Sequence, residues 1–413
     1  MAIADSSRTE TKYTEDKYDV CVVGGGLVGL AVARAVADEY EGVSIVVIDK
    51  ERDVALHQSS HNSGVVHSGL YYRPGSLKAR LCVAGRRAVY ETCAAYGIPH
   101  VVSGKLVIAT RESELSALDE LERRGLANGL TGLRRLGAAE IAEIEPAAVG
   151  LAALHVPEAG VADFPALARH HVSALANSGG QVVTDAPVTG IEHLVDGVVA
   201  VTPNRRFTAR VLVNCAGLHA DEVAVMAGIE PAIRIIPFRG EYYRVAPEAE
   251  GLVRSLVYPV PDPRFPFLGV HFTRRIDGTV EVGPNAILAL GREHYRGVAP
   301  DWSELGSILR FRGFRRLARR HWLAGAKELV GSRSARLYTR LARRLIPALP
   351  PASLLAGGAG VRAQAVDAHG NLVDDFVIET AGATVHVLNA PSPGATASIA
   401  IGKFISNKLK DLL

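Results

Sequence analysis

Cysteine is scarce in this chain and forms no pattern. Four of its 413 residues are cysteine, Cys21, Cys82, Cys93 and Cys215, and no two make a CxxC pair. That argues against a disulfide framework and fits a reduced, intracellular protein with no metal expected. Neither sign of charge dominates. Forty-six Lys and Arg stand against 43 Asp and Glu, for a formal net charge of +3, which gives no footing for nucleic acid as a partner. No stretch reaches the roughly 18 apolar residues of a spanning helix. Residues 1–16 are polar and carry both charge signs. They lack the apolar core of a signal peptide and the acid-poor bias of a transit peptide, and a disordered tail is expected there. No internal repeat and no low-complexity segment is present.

What the chain does have is length and hydrophobic patterning. At 413 residues, 48% hydrophobic and 22% charged, it is an ordinary globular composition too long for one compact core. Residues 18–23 (YDVCVV) read as a buried strand, 27–39 as a helix and 43–48 as a second strand. Continuous apolar runs of this kind suit a parallel sheet covered on both faces. Residues 111–136 read as helical, 164–177 as a helix, and 181–201 as two strands about Asp196-Gly197. Residues 210–215 form a buried strand ending at Ala216-Gly217. From 233 to 282 the pattern is antiparallel sheet, from 300 to 345 helix, and 354–360 is Gly-rich. Two short strands, 376–378 and 385–388, a loop at 389–394 and a helix at 395–408 close the chain. Arg312, Arg315, Arg316, Arg319 and Arg320 stand beside Phe314, Leu317 and Trp322. This is a solvated helix with one apolar face, or else a peripheral contact with an anionic membrane.

Gly24-Gly25-Gly26-Leu27-Val28-Gly29 has the form GxGxxG. Alone that is weak. Here it follows a strand, opens a helix, and meets an acid 20 positions on, Asp49, at the end of the second strand. Gly24 permits the tight turn, Gly26 lets backbone approach a pyrophosphate, and Gly29 lets the helix pack on the strand. Helix N-terminal N–H groups then face the phosphate charge. Leu27, Val28 and Lys50 flank these positions as cofactor contacts, and Val188, Ala216 and Gly217 are expected to join them. The only other Gly cluster, Gly357-Gly358-Ala359-Gly360, runs into Arg362 and Gln364 rather than an apolar helix. A second dinucleotide turn is therefore rejected, which disfavours a flavin–nicotinamide reductase. FAD is favoured by two further segments. Ser59, Ser60, Asn62, Ser63 and Gly64 can satisfy a pyrophosphate and a flavin's polar edge. The turn at Pro393, Gly394, Ala395 and Thr396 opens a helix whose N-terminal dipole suits the negative charge of reduced flavin.

The chain resembles the D-amino-acid-oxidase superfamily of FAD enzymes and, within it, the L-2-hydroxyglutarate dehydrogenase/oxidase family. The resemblance is carried by HQSSHNSGVVHSGLYYRPGSLKARLCVAG, PFRGEYY, YPVPDPRFPFLGVHFT, GVRAQ, LVDDF and NAPSPGATASIAIG, which span nearly the whole sequence. It implies an α/β fold in which a discontinuous Rossmann-like FAD domain (17–95, 150–225 and 346–413) carries an inserted antiparallel-sheet substrate domain (96–149 and 226–345). It also implies non-covalent FAD, with His57, His61 and His67 hydrogen-bonding rather than attached. The implied reaction is hydride transfer from C2 of L-2-hydroxyglutarate to flavin N5, giving 2-oxoglutarate. The flavin is then reoxidised by a quinone, a carrier protein or oxygen, in a cytoplasmic enzyme that touches the membrane peripherally if at all.

A dicarboxylic 2-hydroxy acid needs cations, and Arg binds a carboxylate bidentately. Arg239, Arg264 and Arg362 lie in apolar motif segments and are the candidates, with Asp374 or Asp375 as a structural partner to any of them. Tyr258 and Tyr242 are candidate carboxylate donors. Removal of the hydroxyl proton suits a neutral histidine, and His67 and His271 are both candidates. Other small 2-hydroxy acids, amino acids and glycerol-3-phosphate stay open as substrates. A flavin-dependent nucleic-acid-modifying enzyme and a protein holding FAD without turnover stay open as other classes.

Overall fold

The computed structural model describes residues 14–262, 269–296, 300–332 and 334–413. Its first layer is an eight-stranded sheet built outward from the strand Thr14–Val23. That strand pairs in parallel with Ile45–Ile48 on one side and Arg205–Asn214 on the other. Ile45–Ile48 is buried at every position, as a parallel strand covered on both faces must be. The helix Leu27–Glu39 crosses between the first two strands and packs against the closing helix Gly394–Leu409. Val20, Val22, Leu30, Val36, Ile401 and Ile405 share one core there.

The second layer is a nine-stranded, mostly antiparallel sheet. Its spine is a ribbon of two long strands, Ile233–Val245 and Leu354–Asp367, paired from Ile233 with Asp367 to Val245 with Leu354. The helices Trp302–Arg310 and Arg312–Ser332 cover part of it. In the second helix Phe314 and Leu317 are buried while Arg315, Arg319 and Trp322 are exposed, the one-sided apolar stripe expected of residues 311–322.

Three expectations change. Residues 14–16 belong to the first strand rather than to a tail, because they pair with Arg205, Arg206 and Phe207; residues 1–13 lie outside the described residues. The segment 111–136 is not one helix: Leu115–Ala127 is helical, and Arg134–Gly137 is a strand paired with Ala152–Val156. Ala152–Val156 pairs into the second sheet and not with the FAD-type sheet. The Gly-rich 354–360 forms the first part of the ribbon strand Leu354–Asp367. Its glycines permit close approach: a Cβ on Gly357 would stand 2.5 Å from the Tyr242 carbonyl oxygen, and one on Gly360 would stand 2.4 Å from that of His61. The second contact seats the substrate-side sheet directly on the segment that follows the dinucleotide turn.

Candidate active site

A cleft of about 710 Å³ runs between the two sheets, from the glycine turn to the N-terminus of the closing helix. At its first end Gly24 has φ +109°, and a Cβ there would lie 2.4 Å from the Cys215 carbonyl oxygen. The turn is thus packed on the strand Arg205–Asn214 and its sequel. Gly29 is tighter, since its Cβ would meet the Gly24 carbonyl oxygen at 1.9 Å. Gly26, the N-cap of Leu27–Glu39, differs. Chain neighbours aside, the one atom of the described residues within 4 Å of a Cβ there is Ser59 Oγ at 3.2 Å, so that side faces the cleft. Asp49 is held rigidly, accepting from the N–H of Gly25 at 2.6 Å and of Glu51 at 2.8 Å. The Ser59 hydroxyl accepts from the N–H of Leu27 at 3.0 Å, tying the following segment to the helix start. Asn62 closes the next turn by donating to the carbonyls of Gln58 and Ser59 and accepting from Gly64 N–H.

The expected cofactor residues Gly24, Gly26, Leu27, Val28, Asp49, Lys50, Ser59, Asn62, Ser63, Val188, Ala216, Gly217, Pro393, Gly394, Ala395 and Thr396 all line this cleft. Gly29, Ser60 and Gly64 do not. Gly29 serves helix packing, Ser60 caps a local turn by donating to the His57 carbonyl, and Gly64 supplies a φ of +71°. The residues fit an FAD: a phosphate cradle open on the Gly26 side, a fixed acid at ribose distance in sequence, and a helix N-terminus at the far end. Across the first end Lys50 bridges Glu51 and Glu293, and Glu293 also binds His219 at 2.8 Å. His57 lies 2.9 Å from Glu51, and Tyr295 packs on His61 at 4.2 Å.

At the other end stand the groups expected to act on a substrate. His67 is anchored by its backbone N–H, which donates to Thr396 Oγ1 at 3.1 Å. Burial, with the positive charges of Lys105 and Lys78 behind it, holds the His67 imidazole well below its usual pKa of 6.5. His271 opens the strand His271–Arg274, which pairs with Leu256–Pro259; Leu256 stands opposite Thr273 and Val257 opposite Phe272. Continuing that register brings Tyr258 against His271, and the two rings stack at 4.0 Å. His271 Nδ1 donates to the Gly269 carbonyl at 2.8 Å, which leaves Nε2 as the lone-pair nitrogen. Burial pushes its pKa down to about 3. Arg362 and Tyr242 also line the cleft and are hydrogen-bonded to each other.

Arg239 does not join them. It is ion-paired with Glu241, two residues on and on the same face of its strand, and it does not line the cleft. Arg264 lies outside the described residues. Asp374 and Asp375, expected as structural partners of these arginines, are engaged at the helix Leu77–Ala95. Asp374 accepts from Lys78 at 2.8 Å, and Asp375 accepts from the N–H groups of Leu77 and Lys78 that start the helix Leu77–Ala95. Sequence reasoning gave no role to Tyr71, Tyr72 and Lys78, which line the cleft, or to Lys105 behind it. The first three stand in the segment from His57 to Gly85 that carries the family resemblance; Lys105 had no such signal.

The model of a family described as FAD dependent oxidoreductase matches residues 19–408. An L-2-hydroxyglutarate dehydrogenase of Indibacter alkaliphilus is 44% identical over 93% of this chain and 97% of its own length. One from Escherichia coli K12 is 42% identical over 96% and 94%. The human mitochondrial L-2-hydroxyglutarate dehydrogenase is 41% identical over 95% and 89%. Among solved structures, an FAD-bound L-α-glycerophosphate oxidase from Mycoplasma pneumoniae superposes with a TM-score of 0.77 at 24% identity, covering 96% of each chain.

Proposed function

The chain belongs to the FAD-dependent oxidoreductase family, and from that premise we propose that it oxidises L-2-hydroxyglutarate to 2-oxoglutarate. Two neutral histidines and an arginine converging on one cleft carry this reading, together with the 41–44% identity to L-2-hydroxyglutarate dehydrogenases. FAD, bound non-covalently, supplies the acceptor for the hydride leaving C2. His271 Nε2 takes the hydroxyl proton. Its tautomer is preset by Gly269, and its low pKa keeps it neutral wherever the enzyme works. His67, held by Thr396 at the closing helix, positions the same hydroxyl. Arg362 grips a carboxylate through its planar fork, and Tyr258 and Tyr242 shape the wall beside it.

Electrons then pass to a quinone, an electron-carrying protein or oxygen. We place the enzyme in the cytoplasm with a peripheral contact to the membrane. The exposed Trp322, on the same helix as Arg315, Arg319 and Arg320, supports that contact. Anaerobic addition of L-2-hydroxyglutarate to the holoenzyme should bleach the long-wavelength flavin band, and amino acids and glycerol-3-phosphate should not. Bleaching by one of those and not by L-2-hydroxyglutarate refutes the reading.

A further inference from the structure

Lys105 is the least expected residue of the molecule. It opens the strand Lys105–Ala109, whose neighbour Leu256–Pro259 carries Tyr258, and the strand beyond that begins with His271. Only 1% of it is exposed. Its ammonium lies 4.3 Å from the centre of the Tyr258 ring and 5.1 Å from that of Tyr71, and has no hydrogen-bond partner among the described residues. Tyr71 and Tyr258 line the cleft on their other side. A buried ammonium is ordinarily paired, because the lost hydration is recovered only by an anion or by several acceptors. Two ring faces recover part of it. Among the described residues the one titratable neighbour that raises its pKa is Cys82, a thiol that burial keeps neutral up to about pH 12.

We propose that Lys105 is a positioning and specificity residue, whose buried ammonium behind Tyr71 and Tyr258 is the counter-charge for the C1 carboxylate of the substrate. The proposal rests on the reading of the substrate as a 2-hydroxy acid. The charge acts at the C2 end because Lys105 is an electrostatic neighbour of both His67 and His271. It complements Arg362 without repeating it. Arg362 is a fork at the cleft wall, whereas Lys105 is a fixed positive field reaching the anion across two aromatic rings, where the low dielectric keeps it strong. The same cation helps hold both histidines unprotonated in the resting enzyme.

Titration gives the proposal its distinctive signature. Burial lowers the pKa of Lys105 to about 8. The groups facing it lie elsewhere: His67 and His271 titrate well below 6.5, Tyr71 and Tyr258 well above 10, and Cys82 at about 12. An anion prefers the charged form. Affinity should therefore fall as pH rises through about 8.

The test uses the holoenzyme and its Lys105→Met variant, which keeps the chain length in an apolar setting. In the variant, loss of a charge acting through the low-dielectric wall should raise KM for L-2-hydroxyglutarate about ten- to a hundred-fold. It should rise equally for 2-hydroxybutyrate, which keeps the C1 carboxylate, with FAD content and Tm undiminished. Binding of 2-oxoglutarate to the oxidised wild-type holoenzyme, read from the flavin spectrum, should weaken between pH 7 and 9.5, and in the variant it should be flat. An unchanged KM with a lowered Tm means a merely structural lysine and overturns the proposal. So does a loss confined to 2-hydroxyglutarate, or a flat wild-type profile, which needs no variant at all. If wild-type enzyme is not reduced by L-2-hydroxyglutarate, the substrate reading itself has failed, and this proposal with it.

Discussion

Gly26 and Gly29, three positions apart, are separable in function by one methyl group each, Gly26→Ala and Gly29→Ala. At Gly26 the backbone is extended, with φ −78° and ψ 175°, which alanine adopts freely. The new Cβ meets only the Ser59 hydroxyl, at 3.2 Å. The apoprotein should therefore lose no more than about 1 kcal/mol, the usual scale for a poorer N-cap. The methyl instead projects toward the cleft, where a pyrophosphate must touch the backbone. Displacing the phosphate from even one N–H costs a charge-assisted hydrogen bond, about 1.5–3 kcal/mol, or roughly ten- to a hundred-fold in FAD affinity. At Gly29 the new atom would lie 1.9 Å from the Gly24 carbonyl oxygen. No rotamer relieves a clash with backbone, so the helix must shift, at about 1–3 kcal/mol or more to the fold itself. Apoprotein melting, read by circular dichroism, should thus drop for Gly29→Ala and hold for Gly26→Ala. FAD titration of the apoproteins, read by fluorescence quenching, should show weak binding in both. Wild-type FAD affinity in Gly26→Ala, or an equal loss of apoprotein stability in the two variants, refutes the assignment of Gly26 to the phosphate.

Arg362→Lys should raise KM for L-2-hydroxyglutarate about ten-fold or more, because an ammonium cannot supply the fork, while Arg239→Gln should leave KM within about two-fold; steady-state kinetics decides. The acid limb of kcat/KM should lie well below pH 6.5, since burial holds both His67 and His271 neutral past their ordinary value. The same shift makes acid unfavourable to the fold. His271 takes its proton near 6.5 when unfolded but at about 3 when folded, so Tm should decline as pH falls from 6.5 toward 3. Arg292 is 2% exposed and pairs with Asp221 at 2.6 Å and Glu304 at 3.0 Å. Arg292→Met leaves Asp221 buried and uncompensated and should cost about 3–5 kcal/mol in urea unfolding.

The features that could be read from the sequence are those whose cause is local. The glycine turn, its helix and Asp49 declare themselves within 26 residues, because the turn geometry and the acid belong to one βαβ unit. The closing helix was legible for the same reason. What escaped depends on partners far along the chain. The glycines at 357–360 gave no local sign of a ribbon strand, because the His61 carbonyl and Tyr242 that press on them come from far along the chain. Ala152–Val156 carries nothing in its composition that says which sheet it joins. Arg239 looked free for a ligand, yet a strand sets its side chain beside that of Glu241 two residues on. Lys105, a lysine before an apolar run, looks like an ordinary exposed strand end; only the two tyrosines from distant segments reveal its burial.

The helix Gly394–Leu409 has a consequence for how the enzyme comes to exist. It packs on the helix after the glycine turn so closely that a Cβ on Gly402 would lie 2.4 Å from the Ala31 carbonyl oxygen. One on Gly85, in the helix Leu77–Ala95, would lie 2.4 Å from that of Thr396. His67 takes its anchor from Thr396, 329 residues downstream. The two halves of the cofactor cleft thus come from segments 329 positions apart. Neither Gly85 nor Gly402 lines the cleft, yet both set how closely its halves approach. The site exists only once these helices have packed, so a side chain added at either glycine should empty it of FAD without touching the cofactor.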